Sequence, residues 1–398
     1  MEDITNALSS GRDMIMMGGG NPANVPEIDV IMQQRLQKLS NDSVAVRSLL
    51  GSYDSAQGNS GLIDALVSLF SKKLGWPVTR KNIALTNGSQ SAFFVLYNMF
   101  AGEMADGTER AIHLPLAPEY IGYRDIGLSD NLFTATRPEI ELLDDNLFKY
   151  HVDFSRLAIN ARTAALCVSR PTNPTGNVLT DAEIAHLDSV AVEQDIPFII
   201  DGAYGLPFPS IIFNDAKAHW NSNTILVLSL SKLGLPGVRT GIIVAREDII
   251  NAYTKVNTIV SLACGNLGPA LARELVTSGD ILSLSTQTIA PFYQQRADQT
   301  VTWFRAALGD LPYRIHRPEG AIFLWLWFEG LPITSQMLYE RLKARGVLVV
   351  PGHNFFPGIE GDWSHKDECI RVSYAQDGSV VQRGVAIIAE EVAKAYLE

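Results

Sequence analysis

Between residues 163 and 245 the chain alternates short, wholly apolar runs with polar turns and one stretch of helical period. Residues 164–168, 196–200, 225–228 and 241–244 are each of strand length, and none alternates apolar with polar positions. Strands that are apolar on both sides belong in a parallel sheet covered on both faces. Thr180 followed by Glu183 is a capping-box pair, and it opens a helix to about residue 194 with Ile184, Leu187 and Ala191 on one face. Upstream, residues 60–74 read as a helix with Leu62, Leu66 and Leu69 aligned, and 111–114 as a strand. Residues 82–86 read as a strand that turns through Asn87-Gly88-Ser89-Gln90 directly into a helix. Residues 11–26 run from a short strand into a turn holding Gly18, Gly19 and Gly20. After about residue 280 the rhythm changes. A long helix over about 286–308 leads to the apolar run 321–328, a helix near 335–345, a strand at 347–350, the segment 369–375 and a last helix over about 379–396. The first pattern predicts an open α/β sheet, and the second a smaller α+β unit.

The chemistry collects at the strand ends. Asn173, Asp201, Tyr204 and Lys232 all lie at or just past the carboxyl end of an apolar strand, where open α/β sheets bind ligands. A lysine just past such a strand is partly desolvated, which lowers its amine pKa and suits it to form a Schiff base with a carbonyl compound. Ser229 before it and Arg239 after it would suit a dianionic phosphate, although the segment alone also reads as a surface lysine in a Gly/Pro turn. An aspartate directly after a fully apolar strand needs a cationic or donor partner to stay charged, and a protonated pyridine nitrogen would serve. The helix start after Gly88 presents free N–H donors that favour a phosphate, or it is a bare strand-to-helix turn. Tyr120, past the strand at 111–114, is placed to stack on a flat ring.

Composition narrows the class. A chain of 398 residues implies two or three domains, and 46% hydrophobic with 19% charged residues leaves no room for extended disorder. The longest apolar runs fall far short of the roughly 18 residues that span a bilayer, so no membrane segment is expected. A net charge of -11 argues against a nucleic-acid partner. Cys167, Cys264 and Cys369 are scattered and odd in number, which fits a reducing cytoplasm rather than a disulfide framework. Met1-Glu2-Asp3-Ile4-Thr5 lacks the basic and apolar regions of an export leader, so a cytoplasmic protein is expected. The seven histidines have no metal-ligand spacing, and Gly18 to Gly20 is not a GxGxxG fingerprint.

Together these parts resemble the fold-type I pyridoxal phosphate (PLP)-dependent aminotransferases. The likeness is carried by residues 82–94, 115–123, 169–178, 229–237, 318–328 and 347–358, spread over almost the whole chain. It implies a large PLP-binding domain over 45–280, with a mostly parallel seven-stranded sheet sandwiched by helices, and a smaller α+β domain from 1–44 and 281–398. It implies Lys232 as Schiff-base lysine and proton shuttle, and Asp201 as partner of the pyridinium nitrogen. Tyr204 and Asn173 would face the ring's phenolic oxygen, with Tyr120 stacked on the ring. Gly88, Ser89, Gln90, Ser229 and Arg239 would hold the phosphate, joined by Tyr53 from the neighbouring subunit of a homodimer with active sites at the interface. Arg371 would clamp the substrate α-carboxylate, helped by backbone at Gly20 and by Asn173.

The reaction implied is ping-pong transfer of an amino group between an amino acid and a 2-oxo acid. No second arginine is assignable to an acidic side chain, so apolar donors such as valine and alanine are expected, with pyruvate as acceptor. One departure is the Lys232-to-Arg239 spacing of seven, where many such enzymes have eight; the shorter form, with Pro236-Gly237 in between, occurs in other branches of the family and is compatible with the phosphate role of Arg239. Other readings on the same fold are a PLP β-lyase and an aminotransferase for other aliphatic, aromatic or aminoadipate substrates. A non-enzymatic aminotransferase-like regulator is disfavoured by the acidic charge and by a glycine turn so near the first residue.

Overall fold

The computed structural model describes residues 14–398. In it the strands Thr163–Ser169, Phe198–Gly202, Thr224–Ser229 and Gly241–Val244 are buried along their whole length. Their alternate side chains feed two different cores. Leu166, Val168, Ile200, Leu226, Leu228 and Ile242 pack with Leu62, Leu66 and Ile184, whereas Cys167, Ile199, Val227 and Ile243 pack with Phe93, Leu96 and Ile249. Helices therefore cover both faces, which is why these strands carry no polar stripe. The capping box forms as expected: Thr180 accepts from the Glu183 N–H and opens the helix Asp181–Glu193.

The strand order is Ile83–Thr86, Gly241–Val244, Thr224–Ser229, Phe198–Gly202, Thr163–Ser169, Glu109–Leu114 and Gly102–Glu103, with Phe133–Ala135 also paired to Glu109–Leu114. The sheet has eight strands rather than seven, because Gly102–Glu103 doubles back on Glu109–Leu114 as a two-residue hairpin arm. Gly241–Val244 runs antiparallel to both neighbours, while Phe198–Gly202 is parallel to both of its own. Register aligns the functional ends: Ser169 lies opposite Asp201, and Ser229 opposite Gly241, itself opposite Thr86.

A second, six-stranded sheet follows the order Val350–Pro351, Cys369–Ser373, Phe323–Trp327, Arg314–His316, Leu147–His151 and Glu139–Leu143. Its last two strands form a hairpin from the first half of the chain. The stretch expected as a single strand at 347–350 is split. Val347–Leu348 pairs in parallel with Ile15–Met16, and Val350–Pro351 pairs with Cys369–Ser373, so the chain changes sheets at Val349. The helix expected from 286 is α-helical over Ala290–Leu308 and is preceded by a wider turn, Ser285–Ile289. A buried ion pair, Lys149 with Glu319, joins the hairpin to the loop ahead of Phe323–Trp327, and Lys149 also donates to Asn177 at 2.8 Å. No described helix is long and apolar enough to cross a membrane. The leader reading of Met1 to Thr5 lies outside the described residues, as do positions 1–13 of the segment 1–44.

Glycine is required where the sheet meets the turn before the helix Ser89–Phe100. A Cβ on Gly241 would stand 2.7 Å from the Ser89 nitrogen and 2.8 Å from the Gly88 carbonyl carbon. Gly241→Ala is expected to cost about 1–3 kcal/mol through overpacking. Urea unfolding measures this, and a midpoint equal to that of the unaltered protein would show that the turn relaxes freely.

Candidate active site

One cavity of about 540 Å³ opens at the carboxyl ends of the sheet strands. Of the residues singled out from the sequence, Gly20, Ser89, Gln90, Tyr120, Asn173, Asp201, Tyr204, Ser229, Lys232, Arg239 and Arg371 all line it. Gly88 does not line it but lies directly behind, and Tyr53 does not reach it. The Tyr53 side chain is 85% exposed, outside the cavity of its own chain.

Lys232 follows the strand Thr224–Ser229 in a tight turn, Ser231–Leu233, that Gly234 ends in a left-handed conformation. Its amine donates to the Gly20 carbonyl and lies 5.1 Å from the centre of the Tyr204 ring. Burial and the positive charges of Arg371 and Arg239 lower its pKa from 10.5 to about 8, against a smaller opposing pull from Asp201. Asp201 is buried at its strand's end. Tyr123 Oη donates to Oδ2 at 2.7 Å, and the Ala203 N–H donates to Oδ1 at 2.9 Å. Burial raises its pKa to about 6 although both hydrogen bonds and the Lys232 charge oppose this, so it is ionised at neutral pH.

Arg371 lies in the middle of the strand Cys369–Ser373, 4% exposed, opposite Trp325 and Val350. Its Nη1 donates to Asn173 Oδ1 and its Nη2 to the Gly18 carbonyl, both at 2.7 Å. The guanidinium lies 4.0 Å from the Phe323 ring centre and 5.1 Å from that of Phe355. Its Nε is buried with no partner, and among the described residues no carboxylate forms an ion pair with it. A buried cation held only by neutral oxygens and ring faces leaves room for an anion.

Opposite Arg371 is a second cationic corner. Gly88 precedes the helix Ser89–Phe100 at φ 92° and offers no side-chain cap, so the N–H groups of Ser89 and Gln90 are left to an outside acceptor, while that of Ser91 turns to the Gly88 carbonyl. A Cβ on Gly88 would collide with the Arg239 guanidinium, which occupies that space. Arg239 is itself left-handed, at φ 48°, a conformation that turns its side chain back toward Ser231, whose hydroxyl it meets at 3.5 Å. Three cysteines are free and buried, and no cluster of metal-ligating side chains occurs among the described residues.

Sequence reasoning missed Tyr123, Glu119, Ser169 and Phe355. Tyr123 was traceable, since a turn of 3₁₀ type over Ile121–Tyr123 puts residues three apart on one side, and Tyr120 had been identified. Its ring meets that of Tyr120 edge-on at 5.4 Å. Phe355 lies in a distant segment and carried no signal.

A mixed, two-sided sheet with a lysine and an aspartate at adjoining strand ends, faced by an arginine from a second sheet, defines the architecture of an aminotransferase of classes I and II. The chain belongs to the aminotransferase class I and II family, whose sequence pattern matches residues 13–388. It is 52% identical over 398 residues to the valine–pyruvate aminotransferase of Escherichia coli K12, covering 100% of this chain and 95% of that one. The crystal structure of a valine-pyruvate aminotransferase from Salmonella typhimurium LT2 superposes with a TM-score of 0.92 at 49% identity, over 100% of this chain and 99% of the other. A putative amino-acid aminotransferase from Psychrobacter arcticum 273-4 gives 0.97 at 47% identity, over 100% and 95%.

The lowered amine pKa is measurable in cofactor-free protein. Above about pH 8 Lys232 is neutral, so reductive methylation of this residue, followed by peptide mass spectrometry, is expected to reach half its maximal rate near there. An ordinary lysine requires about pH 10.4. Arg371→Met removes a nearby positive charge and moves the midpoint upward. A midpoint near 10 in the unaltered protein would contradict the burial of this amine.

Proposed function

We propose that the protein catalyses PLP-dependent transfer of an amino group from L-valine to pyruvate, giving 3-methyl-2-oxobutanoate and L-alanine. The observation that carries this is the buried, acid-free Arg371 facing a lysine amine of lowered pKa across one cavity. Identity of 52% to a valine–pyruvate aminotransferase supports the choice of substrates. So does the cavity lining, where Lys232, Arg239 and Arg371 are the cations and none is left for a second, side-chain carboxylate.

The residues present fit pyridoxal phosphate. The uncapped helix start at Ser89 and Gln90, with Ser229 and Arg239, would hold its phosphate, and glycine at position 88 both takes the φ of 92° and leaves the Arg239 guanidinium in place. Asp201, ionised at neutral pH, would hold the pyridine nitrogen protonated, while Tyr204 and Asn173 would face the ring oxygen and Tyr120 the ring itself. When bound, the cofactor supplies an aldehyde that condenses with amines and a protonated ring that takes up the electron pair left on Cα.

The protein's own groups do the rest. Arg371 holds the α-carboxylate with its planar fork, which sets the Cα–H bond against Lys232. Lys232, neutral in a useful fraction near pH 7 to 8, takes the proton from the donor's Cα. In the second half-reaction the same amine returns a proton to Cα of the new amino acid. Donor and acceptor share one site, which makes the kinetics ping-pong.

Two further proposals accompany this reading. The large unit comprises 45–280 and the small one 1–44 with 281–398, the hairpin Glu139–Leu143 and Leu147–His151 lending its strands to the small unit's sheet. The active form is a cytoplasmic homodimer. The helix Ser43–Gly51 buries none of its residues, and Val44, Leu50, Tyr53, Ile259 and Leu262 are all exposed, a surface that a second copy would cover while placing Tyr53 at its partner's phosphate.

Purified, PLP-loaded protein is expected to form alanine from valine and pyruvate. Lys232→Ala abolishes turnover without lowering the melting temperature, and Arg371→Ala raises KM for every amino acid about tenfold to a hundredfold, because all share the carboxylate. Pyruvate released from cystathionine with no amino acceptor would instead mark a β-lyase.

A further inference from the structure

Glu119, just behind the cavity wall between Tyr120 and Ser169, is a buried acid that no expected role uses. It is 1% exposed, and all its hydrogen-bond partners are neutral groups. The Ser169 N–H donates to Oε1 at 2.8 Å, the Ser169 hydroxyl shares a hydrogen bond with Oε2 that the acid's own O–H can donate when the carboxyl is uncharged, and the Tyr120 N–H reaches Oε2 at 3.3 Å. Neither Lys232 nor Arg371 pairs with it. Burial pushes its pKa up to about 8, so at neutral pH it is mainly the uncharged acid. A buried carboxyl without a cation is costly and persists where its geometry is needed.

That geometry joins four parts of the site. Ser169 ends its strand directly opposite Asp201. Tyr120 is the next residue, and its ring meets Tyr123, the donor to Asp201. The main-chain N–H of Glu119 donates at 2.8 Å to the carbonyl of Phe355, whose ring lies against the Arg371 guanidinium. Glu119 thus ties the first sheet's strand end to the turn Gly352–Phe355 of the second.

We propose that Glu119 is a positioning residue: its carboxyl, clamped to Ser169, fixes the main chain at 119–120, which sets the Tyr120 ring over the Asp201 and Lys232 end of the cavity and, through the Glu119 N–H, keeps Phe355 against Arg371. The function is one of shape rather than charge, and it couples the cofactor side of the site to the substrate-carboxylate side. This role rests on the PLP reading above.

The test compares Glu119→Ala and Glu119→Gln with the unaltered protein by three measurements. These are PLP affinity of the cofactor-free protein from tryptophan fluorescence, the melting temperature without cofactor, and KM against kcat for valine. Glu119→Ala is expected to weaken PLP binding and raise KM for valine, each about tenfold. Glu119→Gln keeps an acceptor for the Ser169 N–H and stays within about threefold on both. A lower melting temperature with PLP affinity and KM unchanged would make the residue merely structural and overturn the proposal. So would a Glu119→Gln as impaired as Glu119→Ala. If Glu119→Ala does not fold, Ser169→Ala removes one partner and is expected to shift the same two constants about threefold; no shift refutes the clamp. Unaltered protein that takes up no PLP would refute the cofactor reading first, and this role with it.

Discussion

The unpaired guanidinium of Arg371 is the constraint around which the site is arranged. A buried charge of this kind is tolerated only when oxygens and ring faces replace its water. Each replacement comes from a different part of the chain. Gly18 follows the strand Ile15–Met16, Asn173 lies in the loop after Thr163–Ser169, Phe323 opens the strand beside Arg371, and Phe355 ends a turn held by Glu119. The parallel pairing of Ile15–Met16 with Val347–Leu348 brings the glycine turn to the arginine. The Lys149, Glu319 and Asn177 cluster steadies the loop that carries Asn173. The two sheets thus meet around one cation.

The same charge acts across the cavity. Arg371 and Arg239 add to burial in lowering the Lys232 pKa, while Asp201 works in the opposite direction. Asp201 in turn is kept from rising above about 6 by Tyr123, the Ala203 N–H and Lys232. The base and the acid are therefore set by one another as well as by burial. Both come near their working protonation states around neutral pH, which is the condition for moving a proton at a carbon.

Much of the first sheet was legible because strands buried on both faces must be apolar at every position, and that pattern survives without knowledge of partners. Lys232, Asp201 and Asn173 were legible for the opposite reason, as polar residues ending such runs. Residues without a local signal were missed. Glu119 looks like a surface acid between Pro118 and Tyr120, and Phe355 like any core aromatic. The helix Ser43–Gly51 has no buried face within one chain, so its periodicity had nothing to mark. The stretch 347–350 reads as one strand because both halves are apolar, although each half serves a different sheet.

By itself, then, the sequence determined the two-sided sheet, the capped helix after Thr180 and the left-over polar residues at strand ends. Those features depend on neighbours a few residues apart, or on burial that composition already records. Only the tertiary structure decided which acid answers Tyr123, which oxygens hold Arg371, and that the Arg239 guanidinium fills the space beside Gly88. Such choices join segments as far apart as Gly18 and Arg371, and chain folding, not local pattern, brings their atoms within hydrogen-bond reach.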